Sequence, residues 1–517
     1  MTLDNKKYDF LRQWPVVVAC LSMVIVSCGS NTSKKSLEEE KTEDNRPNIV
    51  YILADDMGYG DLSSLNPNSG IKTPFMDGIV EQGMYFTDAH SNSAVCTPTR
   101  YGILTGRYAW RSRLKEGVLW GYDQPLIEAD RTTVASFLQD NGYNTACIGK
   151  WHLGLGWQAK NSEKPIAKYE WDKVFEEGAD SNVDFSKKVS GPNTLGFNYS
   201  YIIPSSLDMT PYLYLENEKA TELPTAYTKG KSQAKDGRGV FWRPGEVAPN
   251  FDFNQVMDHL TFKATNYITE QKKSKEPFFL YFPLTAPHTP WLPTEEVNGK
   301  SNAGRYGDFV TLVDNTVGAV LKALEESGKA ENTLIIVTSD NGSNWTEEDK
   351  AQYEHRANYI YRGQKADIYE GGHRIPFIAL WPGKIKPGSV SDQVLCTTDL
   401  LATLSGIVGK DLPKGAGEDS YDMLPAFTGK AQKQIRDFTV HHSLNGFFAI
   451  RKDQWKLTTS LGSGGFTKPD EIKPEKGNPN ATLYNLKEDP KETKNVYGEH
   501  PDVVEALLSL LDNAKKM

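Results

Sequence analysis

The sequence predicts an α/β fold in which a large mixed, mostly parallel sheet is sandwiched by helices, with a smaller C-terminal α+β subdomain carrying an antiparallel sheet. Three observations carry that expectation. Short apolar runs alternate with helix-period segments through most of the chain, polar residues collect just after those runs, and the pattern changes near residue 435.

The runs at residues 48–53, 145–148, 278–282, 334–338 and 377–380 are continuous rather than alternating, as strands buried on both faces require. Between them, residues 133–141 end at Gly142 and residues 308–327 end at Gly328, two helix bodies with glycine stops. Strands that alternate with helices form parallel sheets covered on both sides, and ligands gather beyond the strands' carboxyl ends. Asp55 and Asp56 follow the first run, Lys150 and His152 the second, His288 the third, Asp340 and Asn341 the fourth. Residues 155–250 are rich in aromatics, glycine and proline with weak periodicity, and are expected as loops and short strands over that end of the sheet. Residues 447–459 read as a hairpin and 502–516 as a closing helix, so the expected division is a main domain at 47–434 and a subdomain at 435–517. No internal repeat is visible.

With 517 residues and 38% hydrophobic, the chain can bury a sizeable core. Its net charge of −9 and scattered lysines and arginines argue against a nucleic-acid partner. An anionic substrate therefore needs a local cationic pocket. At the start, Lys6, Lys7 and Arg12 precede an apolar stretch at 16–26 that is too short to span a bilayer. The following Ile25-Val26-Ser27-Cys28-Gly29 resembles a bacterial lipobox, which implies a signal peptide at 1–28 and lipid attachment at Cys28. Residues 29–46 then read as a flexible tether, and the implied location is the periplasm or surface of a Gram-negative-type bacterium, held to the membrane by the lipid alone. Of the five cysteines, Cys20 and Cys28 fall in the leader and Cys96, Cys147 and Cys396 remain; Cys147 and Cys396 read as buried free thiols.

The most informative segment is Cys96-Thr97-Pro98-Thr99-Arg100, extended by Leu104-Thr105-Gly106-Arg107. It resembles the signature of sulfatases, in which a maturation enzyme oxidises the cysteine of C-x-P-x-R to formylglycine (3-oxoalanine). A hydrated aldehyde carries two hydroxyls on one carbon, one to attack sulfur and one to drive release of sulfate afterwards. Arg100, one helical turn on, presents a fork of donors to that residue and to developing negative charge. The set Asp55, Asp56, Asp340 and Asn341 is oxygen-only, which suits calcium before magnesium and does not suit zinc. Gly149-Lys150-Trp151-His152 resembles the family segment whose Lys contacts sulfate and whose His orients or deprotonates the diol. His288, in Ala286-Pro287-His288-Thr289-Pro290, resembles the position that protonates the leaving oxygen, and Lys365 the lysine that meets sulfate and leaving group.

These similarities run in family order from about residue 47 to 385, and they imply an alkaline-phosphatase-like fold with a divalent-cation site. Tyr108 to Tyr122 and the Ser206-Leu207-Asp208-Met209 segment look like arylsulfatase A and galactosamine-6-sulfatase relatives. The implied substrate is a sulfated glycan, cut from its end at a 6-O-sulfate of galactose or N-acetylgalactosamine. Asp208 is the candidate acceptor for sugar hydroxyls, and Trp120, Tyr122 and Trp157 are candidates for stacking on a ring. The alternative is a phosphonate monoester hydrolase or phosphodiesterase of the same superfamily, whose transition metal takes extra His and Asp ligands.

Overall fold

The computed structural model describes residues 46–160 and 182–516, so the signal peptide, Cys28 and almost all of the tether lie outside the described residues. A ten-stranded mixed sheet forms the framework. Its centre is Asn48–Asp55, flanked in parallel by Phe278–Pro287 and Thr333–Ser339, with Asn144–Lys150 parallel beyond the former. All eight residues of Asn48–Asp55 and all ten of Phe278–Pro287 are buried, which is why these segments read as unbroken apolar runs.

The sheet is less regular at its edges. Phe377–Leu380 joins Thr333–Ser339 in antiparallel fashion, followed by Met84–Phe86 and Ser389–Ser391. On the other side Tyr199–Ile203 pairs in parallel with Asn144–Lys150 and is extended by the small strands Leu215–Glu216 and Lys219–Ala220. Part of the region expected as loops and short strands over the site thus lengthens the main sheet, because a five-residue run such as Tyr-Ser-Tyr-Ile-Ile satisfies its backbone by pairing with an open edge.

Helices Pro74–Gln82, Val256–Glu270 and Gly304–Glu326 pack on one another, and Cys96–Thr105, Val134–Asp140 and Leu400–Val408 form a second group. Gly304–Glu326 buries Phe309, Val310, Val313, Val317, Val320 and Leu324, a stripe at spacings of mostly three and four. Val134–Asp140 starts where Thr133 accepts a hydrogen bond from the Ser136 amide and stops before Gly142. Beyond residue 435 come four antiparallel strands, Thr439–His442, Phe448–Lys452, Trp455–Thr458 and Thr482–Asn485. Helix Pro501–Lys516 covers this sheet, burying Val504, Leu507, Leu511 and Ala514 against Val440, Ile450, Leu457 and Leu483. Cys96, Cys147 and Cys396 are free and buried. Among the described residues no helix is long and apolar enough to cross a membrane.

Candidate active site

The central strands deliver their carboxyl ends to one place. Asp55 is the last residue of its strand, and Asp56 turns away in the left-handed region (φ 69°), a conformation that Asp tolerates better than most residues. Asp340 and Asn341 follow Thr333–Ser339, so the acidic groups of both strands converge: Asp340 Oδ1 accepts from the Asp56 amide at 3.1 Å, and Asn341 Nδ2 donates to Asp56 Oδ1 at 2.7 Å. All four side chains are buried.

Cations surround this cluster. Lys150 Nζ lies 2.7 Å from Asp55 Oδ2, Lys365 Nζ lies 2.8 Å from Asp56, and Arg100 Nη2 lies 2.7 Å from Asp340 Oδ2 and 3.5 Å from Asp55 Oδ1. Burial favours the neutral carboxyl of Asp55, but Lys150, His288 and Arg100 outweigh it and hold Asp55 well below the usual carboxylate range. Asp340 moves the other way, upward, because burial and the neighbouring Asp55 charge exceed the pull of Arg100. Lys150, Lys365 and Arg100 match the three carboxylates in number, but Asp55 Oδ1 and Asn341 Oδ1 are buried and accept no hydrogen bond, which is costly unless a cation takes those lone pairs. The donor set therefore fits a hard divalent ion.

Cys96 opens helix Cys96–Thr105 beside this cluster, 2% exposed, with the charges of Lys150 and Lys365 acting on its thiol. Burial raises the thiol pKa beyond what these lysines offset, so the unmodified side chain is a poor thiolate. The rest of the motif is mostly scaffolding. Arg100 donates from Nη1 to the Lys150 carbonyl at 2.9 Å, locking the helix to the second strand. Gly106 ends the helix in the left-handed conformation and Arg107 pairs with Glu418 at 3.2 Å, which explains the Leu-Thr-Gly-Arg extension. Gly102 gives room for Asn92: a Cβ there would meet the Asn92 amide at 2.4 Å, while Asn92 is buried and bonded to the Pro98 carbonyl and to Thr397. Replacing Gly102 with Ala is expected to destabilise the fold by about 1–3 kcal/mol through this overpacking, seen as a lower thermal midpoint.

His152 sits at φ 55°, bending its ring back toward the site. Its Nε2 is 2.8 Å from the Leu119 carbonyl, which fixes the proton on Nε2 and leaves a lone pair on Nδ1; that atom is buried and has no hydrogen bond. Burial, Lys150 and Arg100 hold His152 well below an ordinary histidine pKa, so it is neutral. His288 is fixed by a 2.6 Å bond from Nδ1 to the Thr289 carbonyl, with Nε2 3.7 Å from Asp56. Ser206, which sequence reasoning left without a role, links two of these groups: its hydroxyl is 3.2 Å from Lys150 Nζ and 3.3 Å from the His288 ring.

Asp208 forms an ion pair with Arg243, whose guanidinium lies over the Trp120 ring at 4.7 Å. Arg243 was not legible as a site residue, because nothing local marks it. Asp208 Oδ1 is buried without a hydrogen bond. Burial raises its pKa, but His288 and Arg243 together bring it below the usual value. Tyr122 and Trp157 are 1% and 0% exposed and pack in the core, so neither presents a face to a sugar. Trp120 alone of the three aromatic candidates is part-exposed.

The structure thus brings Cys96, Arg100, Lys150, His152, His288 and Lys365 around the Asp55, Asp56, Asp340 and Asn341 cluster. The family pattern described as Sulfatase matches residues 47–410, and that described as N-sulphoglucosamine sulphohydrolase, C-terminal, matches residues 363–516. The chain is 32% identical to the N-acetylgalactosamine-6-O-sulfatase of Bacteroides thetaiotaomicron, over 93% of this chain and 96% of that one. It is 30% identical to human arylsulfatase A, over 90% of this chain and 87% of that one. A solved Bacteroides thetaiotaomicron protein labelled 6S-sulf, from work on metabolism of multiple glycosaminoglycans, superposes with a TM-score of 0.78 at 31% identity, covering 92% of this chain and all of that one. On the strength of this site and these matches, the chain belongs to the sulfatase family and is a sulfuric ester hydrolase.

Proposed function

We propose that the protein removes sulfate from a sulfated glycan, acting from the chain end on a 6-O-sulfate of galactose or N-acetylgalactosamine, with residue 96 as formylglycine. The observation that carries the chemistry is the convergence of Cys96, two lysines, Arg100 and the unpartnered His152 Nδ1 on one oxygen-ligand cluster. Once converted and hydrated, residue 96 supplies a hydroxyl that takes the sulfuryl group and a second hydroxyl whose deprotonation expels sulfate and restores the aldehyde. Asp55, Asp56, Asp340 and Asn341 would hold calcium, with magnesium less well suited to the set; when bound, the ion acidifies the hydroxyl and neutralises sulfate oxygens.

The chain's own residues then divide the work. Lys150 and Lys365, which here neutralise Asp55 and Asp56, hold the sulfate oxygens once the cation takes over that charge. Arg100 fixes the helix and stabilises charge at residue 96. His152 Nδ1 receives the diol proton, and its neutrality keeps that lone pair available. His288 Nε2 gives a proton to the departing sugar oxygen while its Nδ1 bond to the Thr289 carbonyl keeps the ring oriented.

The sugar preference rests on the 32% relative named for N-acetylgalactosamine-6-O-sulfate and on Asp208, whose free Oδ1 offers an acceptor to a hydroxyl while Arg243 holds the carboxylate in place. Export through a leader at 1–28, with the anchor at Cys28, rests on the lipobox-like residues alone. So does the participation of a formylglycine-generating enzyme rest on the Cys96 motif. The division at residues 47–434 and 435–517 accords with the change from the large sheet to the four-stranded one.

A panel of singly sulfated mono- and disaccharides, scored for released sulfate beside an aryl phosphonate ester, tests this reading. The 6-O-sulfated galacto sugars should lead; preference for another position overturns the positional assignment, and faster phosphonate cleavage overturns the choice of sulfate. Asp208→Ala should raise KM for the preferred sugar by about 10- to 100-fold while changing KM for a small aryl sulfate by less than about threefold, since only the sugar loses a hydrogen bond.

A further inference from the structure

The loop that delivers Cys96, residues 91–95, belongs to no helix or strand, yet several of its backbone groups are held from distant segments. Ser91 N donates to the His373 carbonyl at 2.8 Å, Ala94 N to the His442 carbonyl at 3.1 Å, and Ala94 O accepts from Ala366 N at 2.8 Å. The Ser91 carbonyl accepts from His441 Nδ1 at 2.9 Å. His441 and His442 end the first strand of the C-terminal sheet, and two residues on the Leu444 amide donates to the Ala366 carbonyl at 2.9 Å, next to Lys365. One C-terminal strand and its turn therefore grip both the segment carrying the nucleophile and the segment carrying a sulfate-binding lysine.

His441 is held in turn by a buried stack. Its ring lies on that of His373 with centroids 3.9 Å apart and planes at 7°, and His90 Nδ1 is 3.0 Å from His373 Nδ1. Lys456 Nζ, which has only protons to offer, lies 3.0 Å from His373 Nε2, so His373 carries its proton on Nδ1, facing His90 Nδ1. His90 Nε2 lies 2.8 Å from Asp88 and 2.8 Å from Arg451 Nη1, which also donates to that carboxylate. The Ser91 carbonyl can only accept, so His441 carries its proton on Nδ1 and its Nε2 accepts from the Thr439 hydroxyl at 2.9 Å. The three imidazoles come within metal-ligating reach of one another, but every ring nitrogen already has a protein partner: His90 and His373 face one another through Nδ1, and His441 stacks on His373.

We propose that His441 is a positioning residue for the nucleophile: through its bond to the Ser91 carbonyl, with its ring held by stacking on His373, the C-terminal sheet sets where residue 96 stands relative to Lys365. The catalytic consequence rests on the reaction proposed above; the mechanical one does not. Misplacing a reacting group by about 1 Å costs on the order of 100-fold in rate. His441→Leu should therefore lower kcat by about 10- to 100-fold on both the preferred sugar sulfate and a small aryl sulfate, with KM changed by less than about twofold. His441→Asn, whose amide nitrogen stands where Nδ1 did, should restore kcat to within about threefold of the starting protein.

The decisive companion is amide hydrogen exchange on the full chain, with or without conversion of Cys96. His441→Leu should speed exchange in peptides covering residues 91–97 by at least about tenfold, leave Asn48–Asp55 unchanged, and be corrected by His441→Asn. If His441→Leu does not fold, Thr439→Val, which removes the hydroxyl that holds His441 Nε2 and so loosens the ring, should shift exchange at 91–97 in the same direction. Unchanged exchange at 91–97 in the folded variant, or an Asn variant as impaired as the Leu one, overturns the proposal. Absence of sulfate release from every sulfate ester defeats the reaction reading alone, and the exchange result still decides this one.

Discussion

Replacing Cys96 with Ala should lower sulfate release by a factor of at least about 10⁴, because residue 96 is the proposed nucleophile and the groups assigned around it bind, polarise and exchange protons with the ester. Substrate affinity should stay within about threefold, since Lys150, Lys365 and Asp208 keep their partners; calorimetric titration with the preferred sugar sulfate measures this. Cys96→Ser separates the two half-reactions. A serine carries one hydroxyl on its carbon, so it can accept a sulfuryl group but has no second hydroxyl to expel it. The expected result is at most one equivalent of released alcohol per protein, with sulfate retained on residue 96, read by quench-flow and peptide mass. Turnover by Cys96→Ala at the rate of the unaltered protein would remove residue 96 from the chemistry.

The second large effect follows from charge. Two buried oxygens that accept no hydrogen bond, on Asp55 and Asn341, sit among three carboxylates, and the proposed cation would take their lone pairs. Exhaustive removal of divalent ions with a chelator should lower kcat by about 10³-fold or more, with recovery on adding calcium and weaker recovery on adding magnesium. Asp340→Asn, which keeps the shape and removes one charge, should weaken recovery in proportion to the added ion and leave Arg100 without its 2.7 Å partner. Full activity after chelation, verified by metal analysis, would reject the cluster as a cation site.

The sequence made the framework readable where burial was complete. Residues 48–53, 278–282 and 334–338 announced themselves because a strand covered on both faces needs apolar side chains at every position, and the polar residues just beyond them could then be assigned to one end of the sheet. That is why Asp55, Asp56, Lys150, His152, His288, Asp340 and Asn341 were found as a group. Residues 155–250 read as loops and short strands, but the place of Tyr199–Ile203 in the main sheet is not legible, because nothing local says that a strand has a partner about 50 residues away. Tyr122 and Trp157 were misjudged for a related reason: aromatic residues in a glycine-rich segment look the same whether they line a cleft or fill a core. Ser206, Arg243 and the imidazole stack were invisible because their roles exist only through partners brought from distant parts of the chain. Asp55, Asp56, Asp340 and Asn341 could be proposed together as cation ligands because four oxygen donors follow two strand ends, while either pair alone reads as a turn.

The proposed chemistry depends on what residue 96 becomes. As a thiol it is buried, raised in pKa and poorly nucleophilic, so the account requires that the active protein not contain it in that form. Peptide mass analysis of the mature protein, made in a host with the maturation enzyme and matched to specific activity across preparations, measures this directly. The account predicts an aldehyde at residue 96 in a fraction that rises in proportion to activity; an unmodified Cys96 thiol throughout a fully active preparation would contradict it.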